Sequence, residues 1–422
     1  ALWFGWVGAS RESLARAAGS LANWPRDPSV VPIPLTEAEI ASFYQQYCNS
    51  VLWPVLHGWA DQSLPEPEDW TTYREINERY AAHVLRHVRP DDCVWVHDYH
   101  LMLVPQLVRA QRPDARIAFF LHTPFPRPEI FAAIPQSQVL LEGALGADTI
   151  GFHTSEYAQN FLDAVQAQLE LPTEIDGLQL GARRVAVRAG PMGIDATSFS
   201  RRATDPDILL EVDRIRVNAG MALLLGVDRL DYTKGIPQRL LGFERLLELH
   251  PRLRGRVTLT QIAVPSREQV GAYRDLREHV ESLVERINGS YGRPGWTPVN
   301  YLYGTVDPDT LVALYRAADV MLVTSLRDGL NLVAKEFVAS RADGDGVLVL
   351  SEFAGAATEL ASALLVNPNR VGQLADVYHQ ALTMPRAERR SRMRSLREAV
   401  ESNNVFQWAA QFIDVLPVLS PT

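Results

Sequence analysis

Short β-branched runs, each followed by a polar loop and a segment with apolar residues at helical spacing, recur through the first half of the chain. "DCVWVHDYHLMLVPQLVRAQ", "ARIAFFLHTPFPRPEIFAAI" and "GADTIGFHTSEYAQNFLDAVQ" are the examples. Runs of this length predict buried strands, and strand, loop, helix in that order is the βα unit of a parallel sheet. After "RVAVRAGPMGID" a polar stretch from Asp195 to Gly220 interrupts the pattern, which resumes with "MALLLGVDRLDYTKGIPQRLLGFERLLELH". The polar stretch reads as a linker into a second α/β domain, continued by "RVTLTQIAVP", "NYLYGTVDP", "DVMLVTSLRDG", "GVLVLSEFAG" and "SALLVNP". Two helix-like segments, "AERRSRMRSLREAVESN" and "VFQWAAQFIDVL", close the chain. The expected architecture is two doubly wound α/β domains facing each other, with the chemistry in loops just past the strand carboxyl ends.

Composition narrows the function. The 422 residues, 47% of them hydrophobic and 22% charged, argue for two cores. A net charge of -9 without a basic run speaks against a nucleic-acid partner. No run reaches the roughly eighteen apolar residues of a membrane helix, and the N-terminus lacks the pattern of a signal peptide. A soluble, cytoplasmic protein without a membrane partner is therefore expected. Cys48 and Cys93, outside any CxxC spacing, read as ordinary thiols. Among 41 basic residues only Lys234 and Lys335 are lysines, which raises the question of what an ammonium does there that arginine cannot.

The loop "DRLDYTKG" follows an apolar run and precedes a helix beginning near Pro237, so it sets Arg229 and Lys234 beside a helix N-terminus that favours an anion. A planar fork and a compact ammonium together suit a diphosphate, and a solvated loop lysine is the plainer alternative. "TSLRDGLNLVAKEFVAS" puts Asp328 at a strand end and Glu336 on the following helix. Such carboxylates accept sugar or ribose hydroxyls. Asp328 reads equally as an N-cap, and Glu336 better as an exposed helix residue. Lys335 is given no role, pairing with a nearby carboxylate being one option. In the first domain His97, Asp98 and His100 share one loop and His122 stands in another, without a third ligand at metal-site spacing, so no metal is expected. The strings Asp205-Pro-Asp207 and Asp307-Pro-Asp309 read as turn or cap chemistry. Arg286 in "VERINGSYG" reads as a complement to a helix C-terminus, and Tyr44 and Trp53 as core aromatics more than sugar platforms. Absence of GxxxxGK[ST] excludes a P-loop NTPase, and absence of GxGxxG weakens a dinucleotide oxidoreductase.

With these loops in hand, the chain resembles the trehalose-6-phosphate synthases, retaining glucosyltransferases of family 20 with the GT-B fold. "LWFGW", "NSVLWP", "VWVHDYHLMLVP", "FFLHTPFPRPEIF", "VDRLDYTKGIPQR", "ERINGSYG", "LRDGLNLVAKEF" and "VLVLSEFAGAA" carry the resemblance, in the family's order. It implies two Rossmann-like domains facing across a cleft: an acceptor domain over 1–197, a donor domain over 198–400, and a C-terminal helix over 401–422 crossing back. It also implies transfer of glucose from a nucleotide-glucose to glucose 6-phosphate, giving α,α-trehalose 6-phosphate and a nucleoside diphosphate, with neither cofactor nor metal. By the same resemblance Arg229 and Lys234 hold the donor diphosphate, and Asp328 with the backbone of Asn331, Leu332 and Val333 holds the donor sugar. Glu336 takes the ribose, and His122 touches the donor glucose. Tyr44, Trp53, Asp98 and Arg286 bind glucose 6-phosphate, the arginine at its phosphate. Backbone groups near Val306 and Leu332 read the base, which stays open between uracil, guanine and adenine, as does a homo-oligomer.

Family members open with a strand, an Asn-Arg pair and a Gly-Gly loop upstream of "LWFGW", whereas this sequence begins at Ala1 beyond that motif. Two expectations stay open: the chain continues upstream of Ala1, or it starts there, and then the first sheet lacks that strand and the acceptor phosphate lacks that arginine. A pseudo-glycosyltransferase or a regulatory homologue is the rival reading, and intact Asp98, Arg229 and Lys234 weigh against it.

Overall fold

The computed structural model describes residues 1–16, 29–60, 66–219 and 221–414. Near the N-terminus β1 (Trp3–Gly5) pairs in parallel with β2 (Val30–Pro32). The three βα units then supply β3 (Cys93–His97), β4 (Arg116–Phe120) and β5 (Thr149–Phe152), all parallel. A hairpin of β6 (Thr173–Glu174) and β7 (Gly177–Leu180) runs antiparallel into β8 (Arg183–Ala189), and the sheet order is β3-β4-β5-β8-β7-β6. Ile117, Ala118, Phe119 and Phe120 are all buried, which is why β4 reads as an unbroken apolar run.

The stretch from Asp195 to Gly220 corrects the linker expectation. Its described part folds as α1 (Ala196–Arg202), capped by the Asp195 side chain on the Ser198 N–H at 2.9 Å, and α2 (Pro206–Ala219). Ile208 and Val212 of α2 pack against Leu223, Val312 and Ala313. The polarity belongs to the outer faces of helices whose apolar stripe is narrow. Gly220 lies outside the described residues.

The second sheet follows with β9 (Ala222–Arg229), then α3 (Ile236–Leu249), β10 (Val257–Val264), α4 (Gly271–Tyr291) and β11 (Val299–Tyr303). It continues with β12 (Val320–Val323), α5 (Leu332–Ser340), β13 (Val347–Ser351) and β14 (Leu364–Val366). All six strands are parallel, in the order β11-β10-β9-β12-β13-β14. Leu224, Leu259 and Val349 face α3 and α4, while Leu225, Ile262 and Leu348 face α5, so the period-2 alternation of each strand feeds a core on either side. The chain divides into two compact units, Ala1–Gly190 rejoined by the chain from Gln411, and Pro191–Ala410. The helix α6 (Val405–Asp414) makes the return, and within the first unit its Phe412 stacks on Trp95 at 5.2 Å. Residues 415–422 of the expected closing helix lie outside the described residues. No described helix is long and apolar enough to cross a membrane. Both cysteines are free thiols.

Candidate active site

In the second unit the strand order reverses between β9 and β12, which pair directly through Leu224 with Val320 and Leu225 with Met321. The loops leaving these two strands therefore emerge side by side, the place where doubly wound sheets take ligands. Buried charges hold the first loop. Arg239 of α3, fully buried, donates to Asp228, to Gln261 at 2.8 Å and to Thr324 at 3.1 Å. Asp231, also fully buried, accepts from the Thr233 N–H (2.9 Å), Tyr273 (3.0 Å) and Arg267 (3.1 Å). Burial alone would raise its carboxyl, but Arg267, Lys234 and Arg229 help to hold it below the ordinary value. Gly235 ends the loop at φ 63°, and a Cβ there would stand 2.1 Å from the Thr324 carbonyl, so only glycine lets α3 start against the neighbouring loop.

The two loops meet where Lys234 Nζ lies 2.6 Å from Asp328 Oδ2. The same oxygen accepts from Ser325 (3.1 Å) and Asn331 (3.0 Å). Asn331, at φ 77°, is the residue that caps α5, accepting the Ala334 N–H at 3.1 Å. Asp328 is thus not an N-cap, and its carboxylate belongs to the loop. The first-turn N–H groups of Leu332 and Val333 have no intrahelical carbonyl to take them. Glu336 corrects the exposed-helix expectation: its carboxyl accepts from Tyr315 at 2.9 Å, and burial raises its pKa. Arg229 ends β9 and is exposed, while Val306, beyond β11, packs partly buried on the apolar core.

In the first unit Asp98 follows β3 at φ 71°. Its N–H donates to the Phe120 carbonyl at 2.8 Å and its Oδ1 accepts the His122 N–H at 3.3 Å. His97 Nδ1 and His122 Nε2 are 3.0 Å apart, and burial lowers both imidazoles to about 4, so near neutral pH two uncharged rings share one hydrogen. His100 stacks on Tyr44 at 5.7 Å, and Tyr99 packs on Trp53 at 5.8 Å. Tyr44 and Trp53 are therefore brought against the two residues after Asp98, with Trp53 buried as a core aromatic would be. Among the described residues no group of three His, Cys, Asp or Glu side chains could hold a metal ion.

Arg286 does not join the strand-end loops. The helix α4 starts past the carboxyl end of β10 and runs back toward the start of β11, and Arg286 lies fifteen residues along it, about 22 Å at roughly 1.5 Å per residue. There it pairs with Glu244 of α3 at 2.6 Å, with 52% of its side chain exposed. The arginine at the carboxyl end of β10 is Arg267, at φ 51° and with 4% of its side chain exposed, bonded to Asp231 and Tyr273. The available signal was its place, three residues after the run "TLTQIAV".

The model of glycosyltransferase family 20 matches residues 1–417. A bifunctional trehalose-6-phosphate synthase/phosphatase of Thermoproteus tenax is 43% identical over 415 residues, covering 98% of this chain and 56% of its own length, so the chain spans little more than half of that relative. An E. coli structure bound with UDP-2-fluoro glucose matches at TM-score 0.91 and 37% identity, over 100% of this chain and 93% of its own. An alpha,alpha-trehalose-phosphate synthase (UDP-forming) from Burkholderia xenovorans, solved in complex with glucose-6-phosphate, matches at TM-score 0.88 and 36% identity, over 91% of this chain and 86% of its own.

Proposed function

The chain belongs to glycosyltransferase family 20, and from that premise we propose that it moves glucose, with retention, from a nucleotide-glucose to glucose 6-phosphate, forming α,α-trehalose 6-phosphate and a nucleoside diphosphate. The observation that carries the reading is the contact of Lys234 with Asp328 at the strand-order reversal. It sets a cation for a diphosphate beside a hydrogen-bonded carboxylate for sugar hydroxyls. An ammonium has three donors, so Lys234 keeps Asp328 and still reaches phosphate oxygens.

In this reading Arg229 and Lys234 hold the diphosphate, and Arg267, bonded into the same loop, adds a cation for the substrates' anionic groups. The Leu332 and Val333 N–H groups face the donor, Glu336 takes the ribose, and the backbone near Val306 reads the base. As the bond from the sugar to phosphate lengthens, charge gathers on the departing oxygen, and the fixed cations lower the barrier where it develops. Asp98 accepts from acceptor hydroxyls, with Tyr44 and Trp53 behind its loop, and the uncharged His122 donates to or accepts from a donor hydroxyl. Retention through a carboxylate nucleophile needs a carboxylate on the far face of the sugar. The family resemblance implies same-face substitution instead, the departing phosphate oxygen taking the acceptor proton.

The test is nucleoside diphosphate release from UDP-, GDP- and ADP-glucose, each with and without glucose 6-phosphate. UDP-glucose comes first, because the Burkholderia relative is UDP-forming. Acceptor-dependent release is the expected result. A folded chain that releases nothing from any donor would overturn the reading.

A further inference from the structure

Lys335 takes no part in the chemistry proposed above, yet it is the second of the two lysines and its side chain is 1% exposed. It stands on α5 four residues after Asn331. Its ammonium donates to the Met192 carbonyl at 2.8 Å and meets Glu359 Oε2 at 2.6 Å. The other Glu359 oxygen accepts from Asn403 at 2.6 Å, and the Asn403 amide also donates to the Pro191 carbonyl at 2.9 Å. Burial lowers the Lys335 pKa against the pull of Glu359, so holding this charge has a cost that the carboxylate and the carbonyl offset together.

The position of this contact tells what it supports. Glu359 follows the short turn Gly355–Thr358, and that turn grips the Asp328 loop from one side. The Gly355 N–H donates to the Asp328 carbonyl at 3.1 Å and the Ala356 N–H to the Leu330 carbonyl at 2.8 Å. On the other side α5 grips the same loop through its cap, Asn331. The Lys335–Glu359 pair joins the two grips below the loop. The same contact gathers the segments at 191–194 and 403–405, where Ile194 bridges to Asn404 and a Cβ on Gly193 would stand 2.1 Å from the Asn403 carbonyl. A compact ammonium can serve a carboxylate and a carbonyl in different directions within a closed site, whereas a guanidinium is a longer, planar fork.

We propose that Lys335 is a positioning residue for the nucleotide-sugar donor, fixing the Asp328–Val333 loop by tying α5 to Glu359 and Met192. The proposal rests on the donor-site reading given above.

The test is calorimetric binding of UDP to the wild type and to Lys335→Met, each shown folded by circular dichroism at the assay temperature. The KM values for UDP-glucose and for glucose 6-phosphate are measured alongside. Lys335→Met is expected to bind UDP at least about tenfold more weakly and to raise the donor KM, with the acceptor KM held within about twofold. Equal UDP binding by the folded variant overturns the proposal, as does a parallel rise in both KM values, which a merely structural lysine would give. Should Lys335→Met fail to fold, Glu359→Gln keeps the shape and an oxygen for Lys335. Weaker UDP binding is expected there too, and unchanged binding overturns the proposal. A wild type that binds UDP but, given glucose 6-phosphate, never forms UDP from UDP-glucose refutes the glucosyltransferase reading alone, since the binding comparison still decides the role of Lys335. A wild type that binds none of UDP, GDP and ADP overturns both, and where GDP or ADP binds in place of UDP the same comparison is made with that nucleotide.

Discussion

Lys234 and Asp328 are 94 residues apart in the chain and 2.6 Å apart at Nζ and Oδ2, joining the loop after β9 to the loop after β12. The contact exists only because these strands are neighbours at the reversal of strand order. It sets a cation from one loop against the carboxylate proposed to hold the donor sugar on the other.

Lys234→Ala is expected to lower kcat by about 10²- to 10³-fold, the usual consequence of removing one fixed group that stabilises developing charge. Asp328 keeps Ser325 and Asn331, so circular dichroism should report an intact fold. Lys234→Arg should also be impaired, because a guanidinium fork cannot replace a compact ammonium against that carboxylate. Acceptor-dependent nucleoside diphosphate release measures both variants, and full activity in Lys234→Arg would mean that the choice of lysine carries no function.

Arg267 and Arg286 separate a strand-end arginine from a helix-surface one. Arg267→Ala strips a fully buried carboxylate, Asp231, of its cation and should cost about 3–5 kcal/mol of stability together with most of the activity. Arg286→Ala removes a half-exposed ion pair with Glu244, worth at most about 1 kcal/mol, and should leave turnover near that of the wild type. Urea denaturation and the release assay decide it. A large activity loss in Arg286→Ala alone would restore the phosphate role implied by the family resemblance.

The sequence was legible where the physics is local. The central strands β4, β5, β9, β10, β12 and β13 are buried on two faces and so read as apolar runs, and the loop with Arg229 and Lys234 stood out because one of only two lysines precedes a helix-starting proline. Arg267 was missed because its importance lies in Asp231, 36 residues earlier, and in a left-handed backbone that no neighbouring glycine announces. Glu336 was misread for a related reason: α5 is covered on nearly every side, with Ala334, Lys335, Phe337, Val338 and Ala339 all buried, so helical periodicity could not show which polar residue faces inward. The helices α1 and α2 passed for a linker because a narrow apolar stripe among charges resembles a loop in one dimension.

The paired imidazoles predict a pH dependence with a definite sign. Both His97 and His122 have pKa values lowered to about 4 by burial, against an ordinary value near 6.5. Between those limits the unfolded chain binds more protons than the folded one, so stability falls as pH drops from about 6.5 toward 4, and this contribution is fully present above 6.5. Melting temperatures measured across that window should show the slope, and His97→Asn should make it shallower. An unchanged slope in the variant would mean that this pair is not what titrates.

Gly355 offers a test of the Asp328 loop that touches no charged group. A Cβ at residue 355 would stand 2.1 Å from the Gly329 carbonyl, far inside van der Waals contact and against backbone that cannot rotate away. Gly355→Ala must therefore displace either the turn or the loop whose carbonyls it holds through the Gly355 and Ala356 N–H groups. Since Asp328 and Asn331 ride on that loop, the donor KM should rise at least about tenfold, and the acceptor KM should move little. Gly372→Ala is the matched control: beyond its chain neighbours and its own helix backbone no atom lies within 4 Å of the added methyl, and the residue sits in the first turn of a helix, so that change should be neutral or stabilise by up to about 1 kcal/mol without altering either KM. Steady-state kinetics on the two variants separates them. If Gly355→Ala kept the wild-type donor KM, the loop would have to accommodate a methyl group that the Gly329 carbonyl leaves no room for, and its rigidity would not be what sets donor affinity.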